Sequence, residues 1–498
     1  MSASVHLPAT SNVANDYRST KRSVLNPTKN QLINIILLGE VGGGKTTFLS
    51  LFINLLQGNG PEELADRYNP EKESTATAGQ SRTSGTTLYS VQCLNGARFR
   101  ILDTPGLADV RGLGKDTEYI KDINDTIRSH DLTEIHAVLV VTNSAAERPV
   151  AMADYIFKTI AAMLPIPILT NLGFVLTNYD AITQKFKLEM LQEELRNSKW
   201  WPLQNALHLF KEYKSLLGSG KASDYELKER LKDIEYQYGQ SIKYLNDLTQ
   251  WLDELHPKET KAIDRLCQIP TEIGHKVNQV VAWKLSFDKE TESLKEVQKD
   301  LEDAMKDKSE YEKQRDKETE IKWGELSTDL PNVVCKAEGC RSNCHKSCAM
   351  SKSRGSREIA THKAEDHDRV EWIFTKHEGK ANPQTLKKLE ERAAEVDRLE
   401  KTAKGHEANL SNFSKESNGT QSKIQTLVRD FNRSSIVKDF TSLTKSAIAL
   451  LKLRKKTEPE ARQKEIDEMV EILQKKLDVI AGKYKLSNGV PQLPLADT

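Results

Sequence analysis

The nine residues from Gly39 to Thr47, GEVGGGKTT, hold the densest chemistry in the chain. Gly39 and Gly44 are the outer glycines of the pattern GxxxxGK[ST], with Glu40 and Val41 at its first variable positions. Gly42 and Gly43 let the backbone amides turn inward, where amide donors and the start of a following helix would face a phosphate anion. Lys45 would then reach the terminal phosphates, the Thr46 hydroxyl would ligate Mg2+, and Thr47 completes the binding segment. Such a loop must be fed by a buried strand and must empty into a helix. The run Leu32–Leu38 reads as that strand and FLSLFINLL as that helix.

A second strand, Arg98–Leu102, ends in Asp103, Thr104, Pro105 and Gly106, a DxxG box. Its aspartate would hold the magnesium through water. The Gly106 amide would bond a γ-phosphate, so that loss of the phosphate releases the loop that follows. A DTPG sequence is also an ordinary tight turn, and its company with the phosphate loop argues for the chemical reading.

ILDTPGLAD and its continuation VRGLGKD resemble the septin, Era-like and immunity-associated (GIMAP-like) branch of P-loop GTPases. The resemblance covers residues 31–217 and implies a G domain, GTP or GDP as ligand, and a nucleotide-gated assembly. TAGQSRTSGTTLYS resembles the switch segment in which a threonine contacts magnesium and γ-phosphate, with Thr83 the closest match and Thr86 its rival. Lys45 and Thr83 are thus the catalytic candidates, and Thr46, Thr83 and Asp103 the magnesium ligands. LGFVLTNYD puts Thr177, Asn178 and Asp180 where the guanine-selective [NT]KxD box belongs. Asn178 replaces the usual lysine, while Asp180 can still accept from a guanine edge. Val141–Ser144 is a second candidate for this box, and Asn205 is a guess for the last base-contacting loop. Leu107 stands where self-sufficient GTPases carry a water-orienting glutamine, so hydrolysis should be slow unless a partner or self-association supplies the missing group. Arg148 could act that way on a neighbouring subunit, or be an ordinary surface arginine.

Short apolar runs alternating with mixed segments from Leu32 onward predict an α/β domain with a mostly parallel sheet over residues 31–217, after a disordered arm at residues 1–30. Beyond Gly220 helical spacing takes over, opened by a capping box at Ser223 and Glu226. Residues 218–330 and 381–485 read as helical, coiled-coil-like regions, and residues 486–498 as a frayed tail. The two charged runs, one carrying Leu294 and Leu301 and the other Leu389, Val396 and Leu410, form either an antiparallel hairpin or two separate surface helices. A last pair of helices follows Ser434 and Thr457.

Between those runs, residues 331–380 hold Cys335, Cys340, Cys344, His345 and Cys348, separated by four, three and three residues from one cysteine to the next. Little apolar content surrounds them, so a structural Zn2+ is the expected organiser, with His362 and His367 as substitutes for one cysteine. Free thiols are the alternative.

At 498 residues the chain exceeds the roughly 250–300 at which single cores divide, so two or three units are expected. Lys and Arg number 73 against 72 Asp and Glu, which gives no overall bias toward nucleic acid or anionic lipid. Mean hydropathy is −0.59, and the longest apolar stretch, near Ile160–Leu169, is broken by two prolines and too short for a transmembrane segment. The N-terminus has no signal-like apolar core, so a cytoplasmic protein is expected. The composite expectation is a Mg2+-dependent, slow GTPase switch that acts through its helical C-terminal half on a protein partner or a second copy. The alternatives are a nucleotide-binding scaffold without useful turnover and, more remotely, an ATPase.

Overall fold

The computed structural model describes residues 25–72, 80–109, 113–220, 222–336, 340–343, 367–483 and 486. The chain divides into two compact units, Met1–Val281 with Asn418–Tyr484, and Ala282–Ser417 with Lys485–Thr498.

In the first unit, strands β1 (Leu32–Gly39), β2 (Thr87–Gln92), β3 (Arg98–Asp103), β5 (Ala137–Asn143), β6 (Leu172–Thr177) and β7 (Lys199–Leu203) form one sheet in the order β2-β3-β1-β5-β6-β7. The short β4 (Glu134–Ile135) stands outside it. Only β2, at an edge, runs antiparallel to its neighbour. The central strands are buried almost end to end, because helices cover both faces and leave no solvent side to alternate toward. Those helices are α1 (Lys45–Leu56), α2 (Leu113–Ser129), α3 (Val150–Met163), α4 (Ala206–Ser219) and α5 (Asp224–Glu254). One face packs Ile33, Ile35 and Leu37 against Phe48, Phe52 and Phe99. The other gathers Phe157, Phe174 and Phe186.

From β1 the chain runs to the edge strand β2 and turns back as β3 beside β1, then crosses to place β5 on the other side of β1. The carboxyl ends of β1 and β5 therefore flank a topological switch point, where a parallel sheet opens a crevice for a ligand. The phosphate-loop sequence lies directly at that point.

The sheet unit does not stop near residue 217. Helix α5 starts with the Ser223 hydroxyl accepting from the Glu226 amide, then buries Leu245, Leu248, Trp251 and Leu252 in the core shared with the sheet. Trp251 packs at a tilt against Trp201 of β7, with 4.9 Å between ring centres. The end of the expected N-terminal arm is also fixed. Leu25 is buried, and the amides of Thr28, Lys29 and Asn30 donate to the Asp253 carboxylate at 2.6, 2.9 and 2.7 Å. Both corrections have one cause: Asp253 lies 225 residues beyond Thr28 of the arm, and Trp251 stands on a different element from the strand residue Trp201 it packs on, pairings that no local pattern reports.

After β8 (Lys258–Glu259), helix α6 (Lys261–Glu318) belongs to the first unit as far as Val281 and to the second from Ala282. In the second unit it pairs with α7 (Pro383–Ser434). Leu294 meets Ala403 and Leu410, while Leu301 and Ala304 meet Val396 and Leu399, so the two run antiparallel. Leu486, in the expected frayed tail, is buried with the first of these clusters.

Between them stand β9 (Ile321–Cys335) and β10 (His367–Glu378), an antiparallel ribbon. Residues 321–330 are therefore strand, where helix was expected. The alternation of Val370, Trp372 and Phe374 was the available signal, masked by the charges around it. At Pro331, which has no amide to give to a ladder, β9 slips in register between Val370 and Trp372. Helices α8 (Phe440–Lys455) and α9 (Glu460–Ile480) return to the first unit. No helix among the described residues is long and apolar enough to cross a membrane.

Candidate functional site

The loop after β1 closes tightly on its neighbours. A Cβ on Gly39 would lie 2.1 Å from the Val141 carbonyl oxygen, and Gly44, at φ 89°, occupies the left-handed region just before α1. Gly44 gives α1 no side-chain cap, and no acidic residue stands in its first turn, so the positive end of the helix faces the loop cavity. The Lys45 ammonium donates to the Glu40 carbonyl at 3.0 Å and the Gly39 carbonyl at 3.4 Å, which folds the loop around it. Strand, loop and helix form a P-loop.

Three groups far apart in sequence meet at its rim. The Thr46 hydroxyl lies 3.1 Å from that of Thr83 and donates to Asp103 Oδ2 at 3.2 Å. Thr83, not Thr86, occupies this place; the Thr86 amide is turned to the Asp122 carboxylate at 2.5 Å. Two hydroxyls and one carboxylate form an oxygen-only donor set suited to a small hard cation such as Mg2+. The Gly106 amide donates to Ser81 Oγ at 3.0 Å, and Ser81 Oγ donates on to the Thr83 carbonyl at 2.9 Å. Ser81 was missed by sequence reading, although it lies within the Ser/Thr-rich segment. Leu107 is buried, and its backbone is bonded to Gly39 and Val41 at 3.0 Å on either side, which ties the DxxG turn to the P-loop.

On the other side of the loop, the Thr177 hydroxyl donates to the Gly43 carbonyl at 2.8 Å, so Thr177 supports the P-loop from beneath. Asn178 takes φ 50°, and the exposed Asp180 accepts from the amides of Ile182 at 2.7 Å and Thr183 at 3.0 Å, which hold its carboxyl below the usual range. Val141–Ser144 adjoins this segment, with the Ser144 hydroxyl bonded to the Asn178 carbonyl at 3.2 Å. Asn205 caps α4 and donates to the Thr47 carbonyl at 2.9 Å, which anchors the next loop to the start of α1.

No family model matches the sequence, and no curated protein matches it. Among solved structures, a dimerization-deficient mutant of Toc33 from Arabidopsis thaliana is 14% identical, with 49% of this chain and 91% of that chain covered at a TM-score of 0.30. Toc33 from Arabidopsis thaliana in complex with GDP and Mg2+ is 13% identical, with 49% and 91% covered and a TM-score of 0.29. The signal recognition particle receptor SRb-GTP/SRX complex from Chaetomium thermophilum is 16% identical over 35% of this chain and 90% of that chain, at 0.21. At these identities and scores the likeness assigns no activity.

Two arginines, Arg148 and Arg454, of which only Arg148 was singled out from the sequence, complete the surroundings. The Arg148 side chain is only 5% exposed and makes a two-pronged ion pair with Glu40, so it is not an ordinary surface arginine. Arg454, from α8, donates to the carbonyl of Ala108 at 3.0 Å, two residues past the DxxG glycine. Ala108 is held at φ 59°, an uncommon conformation for a residue with a Cβ. Behind it, the buried Asp116 accepts from Tyr155 Oη at 2.8 Å and from the Asp109 amide at 3.4 Å. Burial pushes the Asp116 carboxyl up to about 6, opposed by its bond from Tyr155, backbone bonds at Asp109 and Ala108, and the Arg454 charge.

In the second unit, Cys335 is buried at the end of β9 directly across from His367 on β10, with Cys340 in the turn beyond. Cys344, His345, Cys348 and His362 lie outside the described residues. Among the described residues no group of three or more His, Cys, Asp or Glu could hold a metal.

Proposed function

We propose that the chain is a Mg2+-dependent guanine-nucleotide-binding protein with slow GTPase activity, whose C-terminal helices follow the state of the nucleotide. The observation that carries this reading is the convergence of Thr46, Thr83 and Asp103 at the rim of a P-loop whose lysine is already in place. Loop amides, the α1 N-terminus and Lys45 hold the phosphates. Thr46, Thr83 and Asp103 would hold Mg2+, which would supply positive charge to offset that of the phosphates. The Gly106 amide exchanges Ser81 Oγ for a γ-phosphate oxygen, and Asp180 accepts from the guanine edge. Leu107 offers no polar atom to orient water, so turnover is slow.

The contact from Arg454 to Ala108 supports the switch part of the reading. A movement of the DxxG loop that shifts Ala108 breaks or remakes a bond to α8, and α8 is fixed to α3 through Ser446, Asp154 and Lys158.

The deciding experiment is to identify the nucleotide released on denaturing the purified full-length protein, then to titrate GDP, GTP and ATP with and without Mg2+, with Lys45→Ala as control. Guanine binding that Lys45→Ala abolishes supports the proposal. A protein that binds no nucleotide sinks it, and equal affinity for ATP removes Asp180 as a base reader. Leu107 and Asn178 favour a second reading, a scaffold that holds nucleotide without turning it over. Turnover per molecule that rises steeply with protein concentration would exclude the scaffold.

A further inference from the structure

Glu40 is an awkward residue for its position. It adds a carboxylate to the loop whose amides must hold a polyphosphate, and like charges repel most where water is excluded. Its side chain, 9% exposed, is folded under the loop. Oε1 accepts from the Thr142 hydroxyl at 3.0 Å and the Asn143 amide at 3.2 Å, both at the carboxyl end of β5. Both carboxylate oxygens accept from Arg148, through Nε and Nη2. The guanidinium is itself fixed, donating to the carbonyls of Asn143 at 2.5 Å and Ala146 at 3.1 Å. The Glu40 backbone meanwhile accepts from Lys45 Nζ at 3.0 Å and from the Gly43 amide at 3.2 Å, and it lies in a bridge with Leu107 of the DxxG turn. One residue thus joins the phosphate lysine, the DxxG turn and β5.

We infer that Arg148 is a positioning residue for nucleotide binding: within its own chain it neutralises and fixes Glu40, and thereby sets the P-loop in the shape and charge state that accept the phosphates. The inference rests on the proposed nucleotide site. An arginine suits this task because its planar fork matches a carboxylate through two parallel bonds and stays charged at all working pH values. Engaged in this way, it is not available to reach into a second copy.

Removing Arg148 leaves Glu40 as an uncompensated buried charge beside the phosphates, so the penalty must grow with phosphate number. A mere packing defect would weaken all guanine nucleotides alike. The test is titration of full-length wild type, Lys45→Ala, Arg148→Ala, Arg148→Lys and Glu40→Gln/Arg148→Ala with GMP, GDP and GTP in Mg2+. Folding of each variant is checked by thermal unfolding. Arg148→Ala is expected to lose roughly 100-fold in GTP affinity and roughly 10-fold in GDP affinity. The double variant should return to within about threefold of wild type, since glutamine keeps an acceptor for Thr142 and Asn143 without the charge. Arg148→Lys keeps the charge and should keep the wild-type ratio of GTP to GDP affinity. It carries the test if Arg148→Ala fails to fold, and a ratio that falls about tenfold in that variant would overturn the inference.

Wild-type affinities in Arg148→Ala would overturn it too, as would equal losses for all three nucleotides that Glu40→Gln does not recover. Unchanged affinity combined with loss of a concentration-dependent turnover would place Arg148 in trans and overturn it as well. A wild type that binds no guanine nucleotide, or a Lys45→Ala variant that binds normally, would instead remove the nucleotide site itself, and this inference with it.

Discussion

At the scale of single residues, hydroxyls and carboxylates decide most of the chemistry. Thr83 is expected to matter most when both γ-phosphate and Mg2+ are present. Thr83→Ala should therefore cost about tenfold in affinity for a non-hydrolysable GTP analogue and little for GDP, as read by titration with Mg2+ and with a chelator. Asp116 makes a different kind of statement. Its carboxyl is raised from 3.8 to about 6, chiefly by burial, so its contribution to stability is full below pH 3.8 and is lost as pH rises through about 6. Above that, the ionised carboxylate costs on the order of 3 kcal/mol. Asparagine can still accept from Tyr155, so Asp116→Asn should be more stable than wild type at pH 8 by about 1–3 kcal/mol and equal to it near pH 4, in urea unfolding at the two values. Equal destabilisation at both would mean that the carboxyl does not titrate in this window.

At the scale of elements, helix α8 is the part best placed to register a change at the DxxG loop. It is joined to that loop by Arg454 and Ala108, residues 346 apart in the chain, and to α3 by the Ser446 hydroxyl on Asp154 at 2.5 Å. Replacing GDP by a non-hydrolysable GTP analogue should alter amide-exchange protection across residues 440–455 in the wild type. Arg454→Ala should remove that difference while leaving α8 helical, because Asp439 still caps its start through the Thr441 amide at 2.9 Å. Protection that ignores the nucleotide in the wild type would disconnect α8 from the site. The ribbon of β9 and β10 lies in the other unit.

At the scale of the whole molecule, the proposed nucleotide site belongs entirely to the first unit, while the helix pair with Leu294 and Leu410 at its seam belongs to the second. Leu410 is fully buried, and Leu410→Ala should cost about 2–5 kcal/mol in the stability of that unit. Nucleotide affinity should be unchanged. Separate unfolding transitions, one moved by Leu410→Ala and one by GDP, would be the observed result; a single transition moved by both would show that the units unfold together.

The P-loop was legible because its chemistry is local: consecutive glycines, a lysine and a threonine must sit side by side to surround one phosphate. The apolar runs likewise revealed β1, β5 and β6, since a strand covered on both faces has few polar positions to disguise it, and β3 through its mostly buried FRIL stretch. Sequence narrowed the candidate switch threonine to Thr83 or Thr86, and only the folded chain shows that Thr83 is the one beside Thr46. It found Arg148 as a residue without finding Glu40 as its partner, 108 positions away. It missed the ribbon, whose sparse burial leaves only a faint alternation among charges, and it ended the first unit too early. Burial and pairing between distant residues depend on how the chain closes on itself. Residue spacing therefore determined the chemistry of the phosphate loop, and tertiary structure alone decided which threonine, which arginines and which C-terminal helix surround it.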